Sequence, residues 1–96
     1  MLLKEQKRNS DMIEIYKKEI ESLPKGNLSA KNIRNNEYYY LKYREGKRIV
    51  TDYIGKNADA ISFLRKQIQK RKHCEGMLIA LFKEQKAILR MLEGLD

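Results

Sequence analysis

The chain has 96 residues, 42% of them hydrophobic and 35% charged, with a net charge of +8. That size suits one domain spanning 1–96 with a modest core, and the apolar periodicity described below excludes a disordered chain. One cysteine, Cys74, rules out an internal disulfide and fits a reducing cytoplasm, and the polar run Lys4-Glu5-Gln6 straight after Met1 leads us to expect no signal peptide.

The first element is a predicted helix over about 3–22, with Ile13, Tyr16, Ile20 and Leu23 at helical spacing on one face. Asn9-Ser10-Asp11 offers an alternative cap for a shorter helix, and Pro24 and Gly26 mark its end. Residues 28–54 then read as a three-stranded antiparallel meander. Leu28–Arg34 is a short strand, Asn35-Asn36 a tight turn, and Glu37–Arg44 a strand with four aromatics. Glu45-Gly46 turns the chain into Lys47–Ile54, which Gly55 closes. In the middle strand Tyr39, Leu41 and Tyr43 share one face, expected to pack on helix. Tyr38, Tyr40, Lys42 and Arg44 share the other.

The last element is a long predicted helix over 58–93, capped by Asn57 and opened by Asp59. Ile61, Leu64, Ile68, Leu78, Phe82, Leu89 and Leu92 keep to a heptad seam that Arg71, Glu75 and Gln85 interrupt, and Gly76 is a point where the helix could bend. Helix 1 is expected to lie along this seam as a coiled-coil-like antiparallel pair, with the sheet at one end. Residues 77–92 hold 11 apolar side chains in 16 positions. That window is too short to span a bilayer and too apolar for one neighbouring helix to cover. A homodimer or a partner protein is expected there, through Leu78, Leu81, Phe82, Ile88, Leu89 and Leu92.

The charge is not spread evenly. Residues 1–22 balance five bases against five acids and residues 76–96 balance three against three, so 23–75, with 13 bases and 5 acids, carries the whole excess. Five of the six tyrosines lie in the same stretch. A cationic, tyrosine-rich centre points to a polyanionic partner. The candidate contacts are Tyr38, Tyr40, Lys42, Arg44, Lys47 and Arg48 on the hairpin and Arg65, Lys66, Lys70, Arg71 and Lys72 on the long helix. Lysine and arginine would neutralise phosphates, and Tyr38 and Tyr40 could stack on unpaired bases. Ordinary solvated helix faces and cross-strand tyrosine packing would give the same residues.

Catalysis finds little support. The one His and the one Cys are neighbours, His73-Cys74, and adjacent helical residues point about 100° apart, which suits no nucleophile–base pair. A metal site would need more ligands of those types, so neither an enzyme nor a cofactor is expected.

The run Leu23-Pro24-Lys25-Gly26-Asn27-Leu28-Ser29, the segment from Tyr38 through Lys47, and the closing Tyr53-Ile54-Gly55-Lys56 together resemble a group of small uncharacterised prokaryotic proteins. That group is built as a helix, a hairpin and a long helix. The hairpin is also similar to the arm-type DNA-binding domains of phage integrases, in which a small three-stranded sheet lies against DNA. The size parallels phage-borne inhibitors of bacterial defence nucleases, such as anti-CRISPR proteins. Two readings follow. One is a non-enzymatic nucleic-acid-binding module that holds the phosphate backbone of DNA or RNA. The other is an inhibitor or adaptor that docks on a nucleoprotein nuclease.

Overall fold

The structure, a computed structural model, describes residues 2–94. It is α+β, in the order α1 (Leu2–Glu21), β1 (Asn27–Ile33), β2 (Asn36–Glu45), β3 (Arg48–Gly55) and α2 (Ala58–Glu93). The chain forms two compact units. One joins α1 to α2 from Arg71 onward; the other, Leu23–Lys70, holds the sheet and the first turns of α2.

In the helical unit the pair is antiparallel. Asn9 near the middle of α1 meets Leu81 and Glu84, while Ile20 near its end meets Arg71. The core is Ile13 from α1 with Cys74 and Ile88 from α2, flanked by half-buried Leu78, Leu81, Gln85 and Leu92. The heptad reading of α2 therefore needs adjustment. The buried line passes through Cys74 rather than Glu75, and it accepts Arg71 and Gln85 as members. Phe82 (39% exposed) and Leu89 (42%) fall beside the line. The physical reason is that 3.6 residues per turn drifts against a strict 3.5 repeat, so a straight helix moves its buried stripe off the heptad positions. Arg71 joins the stripe because its aliphatic stem can pack while its Nη1 donates to the Ile20 carbonyl at 2.9 Å. That carbonyl lies in the last turn of α1, where a cation complements the helix dipole. The Arg71 Nε lies 3.5 Å from Glu75. α2 is helical through Gly76 without a break.

Asn9 does not cap a helix. It is 1% exposed in the middle of α1, with Nδ2 donating to the Leu81 carbonyl at 2.9 Å and to Glu84 Oε1 at 3.2 Å. Both partners are acceptors, so the amide must present its nitrogen to them. α1 ends where Ser22 turns back on Glu19, its backbone N–H and Oγ both donating to that carbonyl, just before Pro24.

In the sheet unit the strand order is β1-β2-β3, antiparallel throughout. Ile33 pairs with Asn36, which makes Arg34-Asn35 the two-residue turn, one position earlier than the sequence reading. Both have positive φ, 52° and 68°, as a type I′ hairpin requires. Glu45 pairs with Arg48, so the second turn is Gly46-Lys47, one position later than read, with only the glycine at positive φ as in type II′. Gly26 sits at φ 109° where the chain enters β1, and a Cβ there would lie 2.3 Å from the Lys42 carbonyl oxygen. Only glycine permits that approach. Asn57 caps α2 as its sequence position predicts, Oδ1 accepting from the N–H groups of Asp59 (2.9 Å) and Ala60 (3.1 Å).

Candidate functional site

Register sorts the side chains of the sheet into two faces, because residues opposite each other in an antiparallel ladder point the same way. Leu28, Tyr39, Leu41, Tyr43 and Val50 fall on one face, whose centre, Leu41, is buried. The start of α2 belongs to this side: Ala58, Ile61, Ser62 and Arg65 line a hollow with Glu37, Tyr39 and Lys56. The second face carries Asn27, Ser29, Lys31 and Ile33 from β1, with Asn36, Tyr38, Tyr40, Lys42 and Arg44 from β2. Ile49, Thr51 and Tyr53 complete it from β3.

The carboxylates of the strands are confined to one face, which they share with Arg48. Glu37, Glu45 and Asp52 all lie on the Leu41 side, whereas the ladder positions of the second face include Lys31, Lys42 and Arg44 and no carboxylate. Tyr43 reports the acidity of the Leu41 side. Its phenol is pushed above the ordinary tyrosine value by burial first, then by the charge of Asp52 and a hydrogen bond to it, and last by Glu45.

At one end of the open face three tyrosines meet. The Tyr53 ring lies 5.4 Å from Tyr40 and 6.4 Å from Tyr38, at interplanar angles of 58° and 38°. Tyr53 is 61% exposed. A bulge between Tyr39 and Tyr40 offsets the β2–β3 ladder, so Tyr40 faces Tyr53 while Tyr39 faces Gly55. Two lysines frame the cluster, Lys31 Nζ at 5.3 Å from the Tyr40 ring centre and Lys56 Nζ at 5.9 Å from that of Tyr38. Arg34, from the tight turn, lines the same shallow depression with Ile33 and Asn36. A left-handed conformation costs a non-glycine residue roughly 1–2 kcal/mol, so the turn holds an arginine where asparagine or glycine would fold more easily.

The structure brings together four of the sequence-predicted contacts, Tyr38, Tyr40, Lys42 and Arg44. Lys47 occupies the Gly46-Lys47 turn. Arg48 stands opposite Glu45 on the Leu41 side, and Ile49 takes the place beside Arg44. Lys47 and Arg48 cannot both stand beside Lys42 and Arg44, because successive residues of a strand point to opposite faces. Arg65 lines the hollow on the Leu41 side. Lys66 and Lys70 are exposed on the part of α2 within the sheet unit, and Lys72 is exposed within the helical unit. Arg71 is taken up by the α1–α2 packing. Lys31, Arg34, Tyr53 and Lys56 were missed; the pairings of Tyr38 with Lys31 and of Tyr40 with Tyr53 would have found Lys31 and Tyr53.

Of the predicted association residues, Ile88 is buried and Leu78, Leu81 and Leu92 are half-buried within the helical unit. Phe82 and Leu89 are exposed, together with Met77, Ile79 and Met91. The Lys17 ammonium stands 5.7 Å from the Phe82 ring centre. Cys74 is buried and His73 exposed, so the two side chains point apart. Among the described residues no group of three or more His, Cys, Asp or Glu side chains could hold a metal, and no helix is long and apolar enough to cross a membrane.

A small α+β frame with one open, cationic, tyrosine-bearing sheet face defines the class. The chain belongs to a family described as a domain of unknown function (DUF6788), whose model matches residues 2–62. That span covers α1, the entire sheet and the opening of α2. No curated protein and no solved structure matches the chain.

Proposed function

We propose that the protein is a non-enzymatic nucleic-acid-binding module that holds the phosphate backbone of DNA or RNA on the open face of its sheet. The observation behind this reading is the sorting of charge by face, with Lys31, Lys42 and Arg44 on one side and every strand carboxylate on the other. Solubility alone requires no such sorting. The likeness of the hairpin to integrase arm-type domains is in keeping with it.

Three neutralised phosphates on a single strand imply a log–log salt slope of about −2, so affinity falls roughly twenty-fold between 50 and 200 mM salt. Fluorescence anisotropy of labelled single- and double-stranded DNA and RNA at those two salt concentrations tests this. Charge reversal at Lys42 and Arg44, both exposed, should abolish binding and leave the melting temperature nearly unchanged. Flat titrations for every oligonucleotide would refute the proposal.

A second reading is a protein-binding inhibitor or adaptor, or a homodimer, favoured by the exposed apolar side chains of Met77, Ile79, Phe82, Leu89 and Met91. It expects little affinity for naked nucleic acid. Substitution of Phe82 and Leu89 by polar residues would then disrupt association, as sedimentation velocity would show.

A further inference from the structure

We propose that the open face takes an unpaired polynucleotide strand, its bases stacked on the Tyr38–Tyr40–Tyr53 cluster and its phosphates held by Lys31, Lys42, Arg44 and Lys56. This rests on the phosphate-binding reading and narrows it to single strands.

Three observations carry the step from phosphate to base. First, the rings are tilted against one another, at 38° and 58°, rather than laid face to face. Each ring therefore keeps surface that its neighbours do not cover. Second, Tyr53 stands on an edge strand with 61% of its surface exposed. A tyrosine recruited only for cross-strand packing would bury its ring, because the gain from such packing comes from removing apolar area from water. Third, the groups around the rings are cations without a carboxylate among the ladder positions of the face. That complements a strand in which flat bases and anionic phosphates alternate.

The lysines over the rings do not oppose this. An exposed cation–π contact contributes about 0.5–1 kcal/mol, whereas a base stacked on an aromatic side chain contributes about 1–3 kcal/mol. An arriving base therefore displaces Lys31 from Tyr40 and Lys56 from Tyr38, and each ammonium moves onto a neighbouring phosphate. A duplex cannot use the site in this way, since its bases already stack on each other and present only their edges.

The test uses the full chain and three fluorescein-labelled probes: a twelve-nucleotide oligothymidine, an abasic strand of the same length, and a duplex of the same length. The abasic strand keeps every phosphate and loses every base. At low salt the oligothymidine should bind at least five-fold more tightly than the abasic strand. Tyr53→Ala should weaken the oligothymidine about 5- to 150-fold and leave the abasic strand unchanged, while Tyr53→Phe keeps the affinity. Equal binding of the oligothymidine and abasic strands by the unaltered protein would overturn the stacking proposal and leave phosphate binding standing. That comparison needs no variant to fold. No binding of any probe would overturn both.

Discussion

Asn9 allows the sharpest test of the helical unit. Its Nδ2 donates to the Leu81 carbonyl and to Glu84 while the residue is almost wholly enclosed. Asn9→Asp keeps the shape and replaces the donor by a carboxylate facing two acceptors. The bond to the carbonyl is worth about 1 kcal/mol and that to the Glu84 carboxylate about 1.5–3 kcal/mol. Two unit charges at 3.2 Å would repel by roughly 5 kcal/mol at an effective dielectric constant of about 20. Glu84 is exposed and can swing into solvent, which removes most of that repulsion but leaves a buried charge without a partner. The expected loss is about 3–5 kcal/mol, a large part of the roughly 5–15 kcal/mol that holds a small protein together.

The loss has a pH signature. The introduced carboxyl has a native value above its unfolded one, so the native state binds the extra proton and stability falls as pH rises through the native value. The deficit must therefore be larger at pH 7 than at pH 4. Asn9→Leu is the counterpart: it removes both bonds without introducing a charge, so its cost, at most about 2.5–4 kcal/mol, should not change with pH. Urea unfolding followed by far-ultraviolet circular dichroism at both pH values reads all of this. An Asn9→Asp protein as stable as the parent at pH 7, or a deficit independent of pH, would refute the reasoning.

Gly76→Ala should stabilise, because the added methyl meets nothing within 4 Å and alanine favours a helix interior by about 1 kcal/mol; calorimetry should show a rise of roughly 4–8 °C. Gly26→Ala should destabilise by at least ~2 kcal/mol, since strained backbone alone costs about 1–3 kcal/mol and the methyl also meets the Lys42 carbonyl; an unchanged urea midpoint would contradict the close approach. The raised Tyr43 value means its protonated phenol stabilises the fold fully below the unfolded tyrosine value and loses that contribution as pH rises through the native one. Absorbance at alkaline pH should therefore show a phenolate step above the ordinary tyrosine range that Tyr43→Phe removes.

The elements and their order were readable because periodicity is a local signal. Ile13 and Ile20 announce one helix, the aromatic alternation of residues 38–43 announces a strand, and Asn57 announces the next helix. The open face was only half readable. Tyr38, Tyr40, Lys42 and Arg44 share a parity within one strand, but Lys31 and Tyr53 join them only through registers set by two turns. Those turns were each misplaced by one residue, which slides each ladder by two and changes the partners of Lys31 and Tyr53 but not their face: Arg34 looks like a strand residue and adopts positive φ all the same, and Lys47 looks like the start of a strand. Asn9 escaped for a different reason. An asparagine beside a serine and an aspartate reads as a cap, and nothing local says that its amide will be enclosed by a helix more than seventy residues away.

The sorting of charge across the sheet has a kinetic consequence. A thin sheet whose strands carry three cations on one side, and three carboxylates against the single Arg48 on the other, has a dipole along its normal. In the field of a polyanion such a body feels a torque as well as a pull, and it turns its lysine side forward before contact. Collisions then arrive already oriented, which relieves the orientational restriction that ordinarily holds association to about 10⁵–10⁷ M⁻¹s⁻¹. Moving a single carboxylate from the Leu41 side to the open face would leave the net charge at +8 and still slow the encounter, because orientation depends on where the charges sit.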